Sequence, residues 1–175
     1  QKHFIYESLK PKEMLPIFAK FFFRNQIPPE DDIAELHIEI SHELSLEKHS
    51  GIIVPRGHAK TTLARIDTIH DIVYKHEDFI VFIGETYTAA QMSLGFVKAQ
   101  LEINEELVHV YGSVVPGLKV HERQKWTDNQ IHTTNGVICI SIGAGKGRGL
   151  NIGGQRPTKI LCDDIEDKER EIGRA

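Results

Sequence analysis

A lysine followed by a hydroxyl residue, Lys60-Thr61, lies in the stretch VPRGHAKTT at residues 54–62. Phosphate-binding loops of the pattern G-x-x-x-x-G-K-[ST] contain the same lysine and hydroxyl residue. The lysine reaches the outer phosphates of a nucleotide, and the hydroxyl after it holds Mg²⁺. Backbone N–H groups at the start of the following helix complete an anion site, because the helix dipole favours negative charge there. The pattern is incomplete, since Val54 and Ala59 stand at its two glycine positions. We expect Ala59 to be tolerated if its φ angle is negative. A plain strand–loop–helix junction is the alternative.

Two adjacent aspartates, Asp163 and Asp164, end the apolar run ILCDD. In phosphate-loop proteins the first such acid binds Mg²⁺, usually through water, and the next polarises the attacking water. In isolation the pair could equally be a solvated strand end or a helix cap. Its occurrence downstream of Lys60, with another apolar strand between them, favours a nucleotide site.

Arg148 is a third candidate, in the glycine-rich stretch GAGKGRGL at residues 143–150. An arginine in such a loop can reach a γ-phosphate in its own subunit or in a neighbouring one. A solvated loop arginine is the alternative. The glycine spacing also resembles a dinucleotide-binding loop, but no amphipathic helix follows it. The ten histidines and two cysteines show no paired metal-ligand spacing.

The elements that must position these residues follow from hydrophobic periodicity. Residues 1–50 are mostly helical in pattern, and the apolar runs at 51–55, 79–85 and 158–164 predict buried strands. A helix is predicted from Lys60 to about Lys75. Strands alternating with helices indicate an α/β protein with a mainly parallel sheet.

A second helix is predicted after the strand at 79–85, with capping-box spacing between Thr88 and Gln91. Its apolar face holds Ala90, Leu94, Val97 and Leu101. The stretch at 125–143 predicts a β-hairpin added to the sheet. It turns at Asn135-Gly136, a dipeptide that suits a type I′ turn because both central positions need positive φ.

Composition narrows the class of protein. The chain has 175 residues, 40% of them hydrophobic, which suits one globular domain with a core. No apolar run approaches the roughly 20 residues that span a bilayer, and no secretory signal pattern opens the chain. Cys139 and Cys162 lie in apolar runs, so we expect buried, reduced thiols. The net charge of -4 neither requires nor excludes a nucleic-acid partner.

The order of these segments resembles the N-terminal ATPase domain of bacteriophage and prophage large terminase subunits. The likeness runs from about residue 35 to residue 171. It depends on the ordered series IIVPRGHAKTTLAR, IVFIGETYTAAQ, KW with NGVICISIGAGKGRGLN, and RPTKILCDDIED. The resemblance implies a P-loop NTPase fold of the ASCE, RecA-like type. Residues 1–50 would form its N-terminal helical segment and residues 51–175 its ATPase core, ending after Walker B.

The resemblance also implies roles for matching residues. Asp163 would be the Walker B magnesium aspartate, with Thr61 as a second metal ligand. Asp164 stands where many relatives have a catalytic glutamate, and Glu166 is the alternative base. Arg148 is similar to the arginine proposed to act between subunits, and Arg56 to the arginine near the start of the family's Walker A. The Walker A would comprise Pro55, Arg56, Gly57, His58, Ala59, Lys60, Thr61 and Thr62.

The implied function is ATP hydrolysis with ATP and Mg²⁺, coupled to translocation of double-stranded DNA into a prohead. The resemblance further implies a portal protein and a small terminase subunit as partners. It also implies a homo-oligomeric ring in the bacterial cytoplasm, outside the mature virion, and no membrane. We expect the isolated fragment to be monomeric and to lack nuclease activity, since we find no nuclease domain. A helicase-type P-loop ATPase and a non-catalytic nucleotide-binding assembly module are the alternatives.

Overall fold

The computed structural model describes residues 2–26, 34–46, 49–54, 57–117, 125–147, 149–163 and 165. The helices are α1 (Lys2–Ser8), α2 (Leu15–Phe22), α3 (Glu35–Ser45), α4 (Lys60–Tyr74), α5 (Tyr87–Ile103) and α6 (Glu105–Tyr111), with a 3₁₀ turn at Lys12–Met14. The strands are β1 (Phe79–Gly84), β2 (Gln130–His132), β3 (Ile138–Gly143) and β4 (Lys159–Asp163). Within the described ranges, no helix is long and apolar enough to cross a membrane.

The chain divides into two compact units. The helical unit comprises Gln1–His76 and Ala99–Val114, and the sheet unit comprises Glu77–Lys98 and Val115–Ala175. In the helical unit, α4 contacts both α2 and α3. Its predicted apolar positions are buried: Leu63, Ile66, Ile69 and Val73. The helix ends where predicted, with Lys75 in a left-handed C-cap at φ 54°.

The sheet unit contains a four-stranded mixed sheet in the order β2-β3-β1-β4. Strand β1 pairs in parallel with β3 on one side and with β4 on the other, and β2 pairs antiparallel to β3. The predicted α/β sheet, mainly parallel with an added hairpin, is therefore confirmed. On one of its faces, the core formed by Phe79, Val81 and Ile140 is covered by Leu150 and Ile152.

The hairpin turn is longer than its sequence predicts. The last residue pair of β2 and β3 is His132 with Ile138. Within the loop between them, Thr133 N donates to Val137 O over 2.9 Å. Gly136 has a positive φ of 90°, but the φ of Asn135 is not positive. The type I′ prediction is therefore wrong, because the loop holds more residues than a two-residue turn.

Three local predictions are also wrong. Residues 51–54 form no strand, and Ile53 is 98% exposed. An apolar, β-branched composition favours a strand but does not supply the neighbouring strand with which it must pair. Helix α5 is capped by Thr86 rather than by Thr88, since Thr86 Oγ1 accepts from Ala89 N over 3.1 Å. Cys162 is exposed, because it lies on an edge strand of the sheet, whereas Cys139 is buried as expected.

Candidate functional site

The loop before α4 has an unusual backbone. Gly57 has φ 84° and Ala59 has φ 56°, while His58 between them is not among the residues with positive φ. Alternation of φ in this way is typical of loops whose successive N–H groups bind an anion. The described part of the candidate loop, residues 57–62, therefore has a backbone suited to a phosphate group.

Ala59 does not meet the condition under which we expected alanine to be tolerated here, because its φ is 56° rather than negative. A non-glycine residue in the left-handed region costs about 1–2 kcal/mol, because its Cβ approaches the following carbonyl. Strained backbone of this kind persists where the surrounding structure imposes it, commonly at ligand-binding sites. The glycine that Ala59 replaces in the sequence pattern would adopt the same conformation without strain.

Helix α4 begins at Lys60, directly after this loop. Ala59 is the N-cap residue, and no side-chain hydrogen bond caps the helix there. The first N–H groups of a helix have no acceptor within the helix, and its dipole is positive at this end. Lys60, Thr61 and Thr62 are all partly buried in the first turn. The structure thus brings the lysine, both hydroxyl residues and the loop together at one helix start.

Asp163 lies at the carboxyl end of β4 in the sheet unit. Gly84 of β1 is in register with Asp163 on one side and with Gly143 of β3 on the other. The carboxyl ends of three parallel strands therefore meet at one edge, where ligands commonly bind in open α/β sheets. Asp163 places a partly buried carboxylate at this edge.

The first turn of α5 leaves no room for a side chain on Gly84 and little room for one on Gly143. A Cβ on Gly84 would lie 2.8 Å from Ala90 N, and a Cβ on Gly143 would lie 3.3 Å from Tyr87 N. Helix α5 therefore starts close above the ends of β1 and β3. The segment GETYTAAQ therefore contains both the end of β1 and the first turn of α5, which pack closely against each other.

The glycine-rich loop after β3 folds back over the sheet. A Cβ on Gly147 would lie 3.6 Å from Ile83 Cδ1 and 3.7 Å from Ile142 Cδ1. Because side chains alternate along a strand, Ile83 faces away from the sheet surface that Gly84 presents to α5. The described part of the loop thus packs on the face opposite α5.

Several predicted site residues lie outside the described residues: Pro55, Arg56, Arg148, Asp164 and Glu166. Residues 57–62 belong to the helical unit, and Asp163 belongs to the sheet unit. Across the described ranges, no group of three or more His, Cys, Asp or Glu is placed to hold a metal. Mg²⁺ commonly uses only one or two carboxylates together with substrate phosphates and water. Thr61 and Asp163 carry oxygen donors of the type that it prefers.

Sequence reasoning missed a buried polar cluster on α4. The carboxylates of Asp67 and Asp71 are fully buried, and both form ion pairs with Lys12, at 3.4 Å in the case of Asp67. Between them His70 is fully buried, and its Nε2 donates to Leu9 O over 2.8 Å. The signal in the sequence was the run DTIHD, which places three ionisable residues between the apolar positions of the helix.

Burial sets the protonation of this cluster. The pKa of His70 falls from 6.5 to about 4, because desolvation outweighs the attraction of Asp67 and Asp71. Neutral His70 carries its proton on Nε2, which leaves Nδ1 buried and without a hydrogen-bond partner among the described residues. Nearby, burial raises the pKa of Tyr74 to about 12. Its hydroxyl donates to Tyr6 O over 2.8 Å.

Comparisons of this chain with protein-family models, with curated proteins and with solved structures find no match.

Proposed function

We propose that this chain is the ATPase domain of a viral DNA-packaging motor, the large terminase subunit. The observation that carries the proposal is the left-handed Ala59 immediately before Lys60 at the start of α4. Strain at this position is accounted for if the loop must present its N–H groups to a phosphate. The motif order described above supplies the narrower assignment to a packaging motor.

The proposed chemistry is hydrolysis of ATP to ADP and phosphate. Lys60 neutralises charge on the outer phosphates, and Thr61 and Asp163 are the proposed Mg²⁺ ligands. Bound Mg²⁺ would stabilise the charge that develops on the phosphate oxygens. Asp164, or Glu166 in its place, orients the attacking water and accepts its proton. The γ-phosphorus bond to the bridging oxygen breaks as the bond to water oxygen forms.

The wider setting belongs to the same proposal. The assembled protein would form a homo-oligomeric ring in the host cytoplasm and translocate double-stranded DNA. Its protein partners would be a portal and a small terminase subunit. Arg56 and Arg148 would stabilise transition-state charge, Arg148 in the active site of the adjacent subunit.

Nucleotide binding is the first test. A ligand at a hundred times its Kd stabilises the folded state by about 2.7 kcal/mol. For a chain of this length, that stabilisation corresponds to a rise in Tm of roughly 5–11 °C. We expect this rise with Mg²⁺ and a non-hydrolysable ATP analogue, and its loss in Lys60→Ala.

Lys10→Ala is the matched control, because Lys10 is an exposed lysine of the same unit away from the loop. This variant should keep the full rise in Tm. A wild-type melting curve unchanged by millimolar nucleotide contradicts the proposal, as does an equal rise in Lys60→Ala.

A further inference from the structure

The segment between Asp128 and Asp163 contains no acidic residue, although the whole chain has a net charge of -4. It contains four Lys and Arg residues: Lys146, Arg148, Arg156 and Lys159. It also contains no Phe, Trp or Tyr. A locally basic segment in an acidic chain indicates a surface that meets a negatively charged partner.

The centre of this segment is the loop between β3 and β4, the basic loop, of which the structure describes residues 144–147 and 149–158. It runs over the sheet face opposite α5, where Leu150 and Ile152 pack on the core of that face. Strands β3 and β4 are both parallel to β1, so the loop crosses from the carboxyl end of β3 to the amino end of β4. Lys146 and Arg156 therefore lie near opposite ends of a path of about 16 Å, the length of a five-residue strand.

The two described cations of the basic loop are not neutralised by the protein. Lys146 and Arg156 are exposed, and neither forms an ion pair with a carboxylate that the structure describes. By contrast, Lys98 in the same unit contacts Asp128 over 3.1 Å. The charges of Lys146 and Arg156 are therefore open to a ligand in solution.

The next acidic residue in the sequence lies on the other face of the sheet. Asp163 is in register with Gly84, which presents its surface to α5. Residues in register on neighbouring strands point to the same face, so the Asp163 carboxylate is on the α5 side. The surface covered by the basic loop thus keeps its positive charge.

Glycines give the basic loop an open outer surface. Gly153 and Gly154 have φ 60° and 89°, and a Cβ on either would meet nothing within 4 Å. Two reciprocal backbone hydrogen bonds between Ile152 and Gln155, each 3.0 Å long, close the turn around them. This turn fixes the backbone just before Arg156. Where side chains are absent, a phosphate can approach the peptide N–H groups, which bind phosphates alongside cationic side chains.

We propose that the basic loop contacts the phosphate backbone of double-stranded DNA through Lys146 and Arg156. Contacts of this kind hold a protein on a duplex without reading its sequence. A path of about 16 Å spans roughly five base pairs, so the two cations contact separate phosphates. Proteins that bind single strands stack the bases on aromatic side chains, and the segment has none, which favours a duplex.

The choice of DNA rests on the proposed function, and the inference names the surface with which that motor would hold its substrate. Fluorescence anisotropy of a labelled random-sequence duplex, from about 50 mM to about 200 mM salt, tests it. Lys146→Ala and Arg156→Ala should each reduce the slope of log affinity against log salt by about 0.9. Each should also weaken binding about tenfold at about 50 mM salt. Arg156→Lys should keep the wild-type slope, because a phosphate contact of this kind needs only the charge.

Lys125→Ala is the matched control, because it removes the same charge from an exposed lysine of the sheet unit outside the basic loop. It should keep the affinity and the slope of the wild type. Far-UV circular dichroism verifies that each variant is folded. The nucleotide-induced rise in Tm is measured in the same proteins and should not change, since Lys60 is intact. Duplex binding that depends on Lys146 and Arg156 without any such rise supports the basic loop as the DNA contact and contradicts only the proposed ATPase.

Wild-type protein that does not bind the duplex at micromolar concentration and about 50 mM salt overturns the inference. A salt slope that neither alanine variant changes also overturns it. Tighter binding to a single strand or to an RNA duplex of the same sequence overturns the assignment to double-stranded DNA.

Discussion

His70 should make the stability of the protein depend on pH in the mildly acidic range. Burial lowers its pKa from 6.5 to about 4 in the folded protein, whereas in the unfolded chain it titrates near 6.5. Between these values the unfolded state binds more protons than the folded state. The free energy of unfolding therefore falls as the pH is lowered through this window, and the loss is complete below the folded-state pKa.

The size of the effect follows from the two pKa values. A fall from 6.5 to about 4 corresponds to a loss of about 3 kcal/mol when both states are fully protonated. At about pH 5, the same linkage removes about 2 kcal/mol relative to about pH 7.5. Such a loss is a large fraction of the 5–15 kcal/mol typical of folded proteins.

Urea denaturation of wild type and His70→Gln at about pH 7.5 and about pH 5 measures this contribution. Glutamine retains an amide donor for the Leu9 carbonyl but does not titrate. Carboxylates titrate in both proteins, so their contribution cancels in the comparison. Wild type should lose about 2 kcal/mol more than His70→Gln between the two pH values.

His109→Gln is the control, because His109 is exposed on α6 and is not among the groups that shift the pKa of His70. It should keep the wild-type pH dependence. Equal losses in wild type and His70→Gln would refute the assignment of the acid sensitivity to His70.

The remaining predictions concern the candidate nucleotide site. Ala59→Gly should raise the free energy of unfolding by about 0.5–1 kcal/mol in urea titrations, since relief of left-handed strain exceeds the added entropy of the unfolded chain. A loss of stability would contradict the positive φ. Asp163→Ala should abolish the Mg²⁺-dependent part of the nucleotide-induced rise in Tm. It should leave unchanged the rise in Tm that nucleotide gives in EDTA. In an assembled full-length motor, Arg148→Ala should lower turnover by about 10³-fold or more without loss of nucleotide affinity. Mixing it with Lys60→Ala protein should restore some activity, and no recovery in confirmed assemblies would exclude action between subunits.

Hydrophobic spacing within single segments of the sequence predicted several helices and strands correctly. The helical spacing from Leu63 to Val73 and the apolar runs of β1 and β4 each gave the correct element. Strand β4 is not buried as predicted, because it lies at the edge of the sheet, and Ile160 is 54% exposed. Asn135-Gly136 correctly marked a hairpin, but not its turn type, because the turn depends on where pairing between β2 and β3 stops. Residues 51–54 have the composition of a strand, but a strand also needs a neighbouring backbone with which to pair.

The candidate site was predictable in its residue types and less so in its conformation. The position of Lys60 at the start of a helix followed from the sequence. The left-handed φ of Ala59 did not, because alanine gives no signal for it. Sequence patterns yielded no prediction for the polar residues of α4, among which Asp67 and His70 are fully buried. Their partners come from the segment around Lys12, far away in sequence, which no local pattern reveals.

The hydrogen bonds from α4 to the end of α1 also bear on the order of folding. Helix α1 has seven residues, too few to be stable alone in water. The carbonyls of Tyr6, Leu9 and Lys10, at or just after its carboxyl end, accept hydrogen bonds from Tyr74, His70 and His76. These donors lie more than 60 residues later in the chain. Helix α1 should therefore form only after α4 and the residues that follow it have presented these donors.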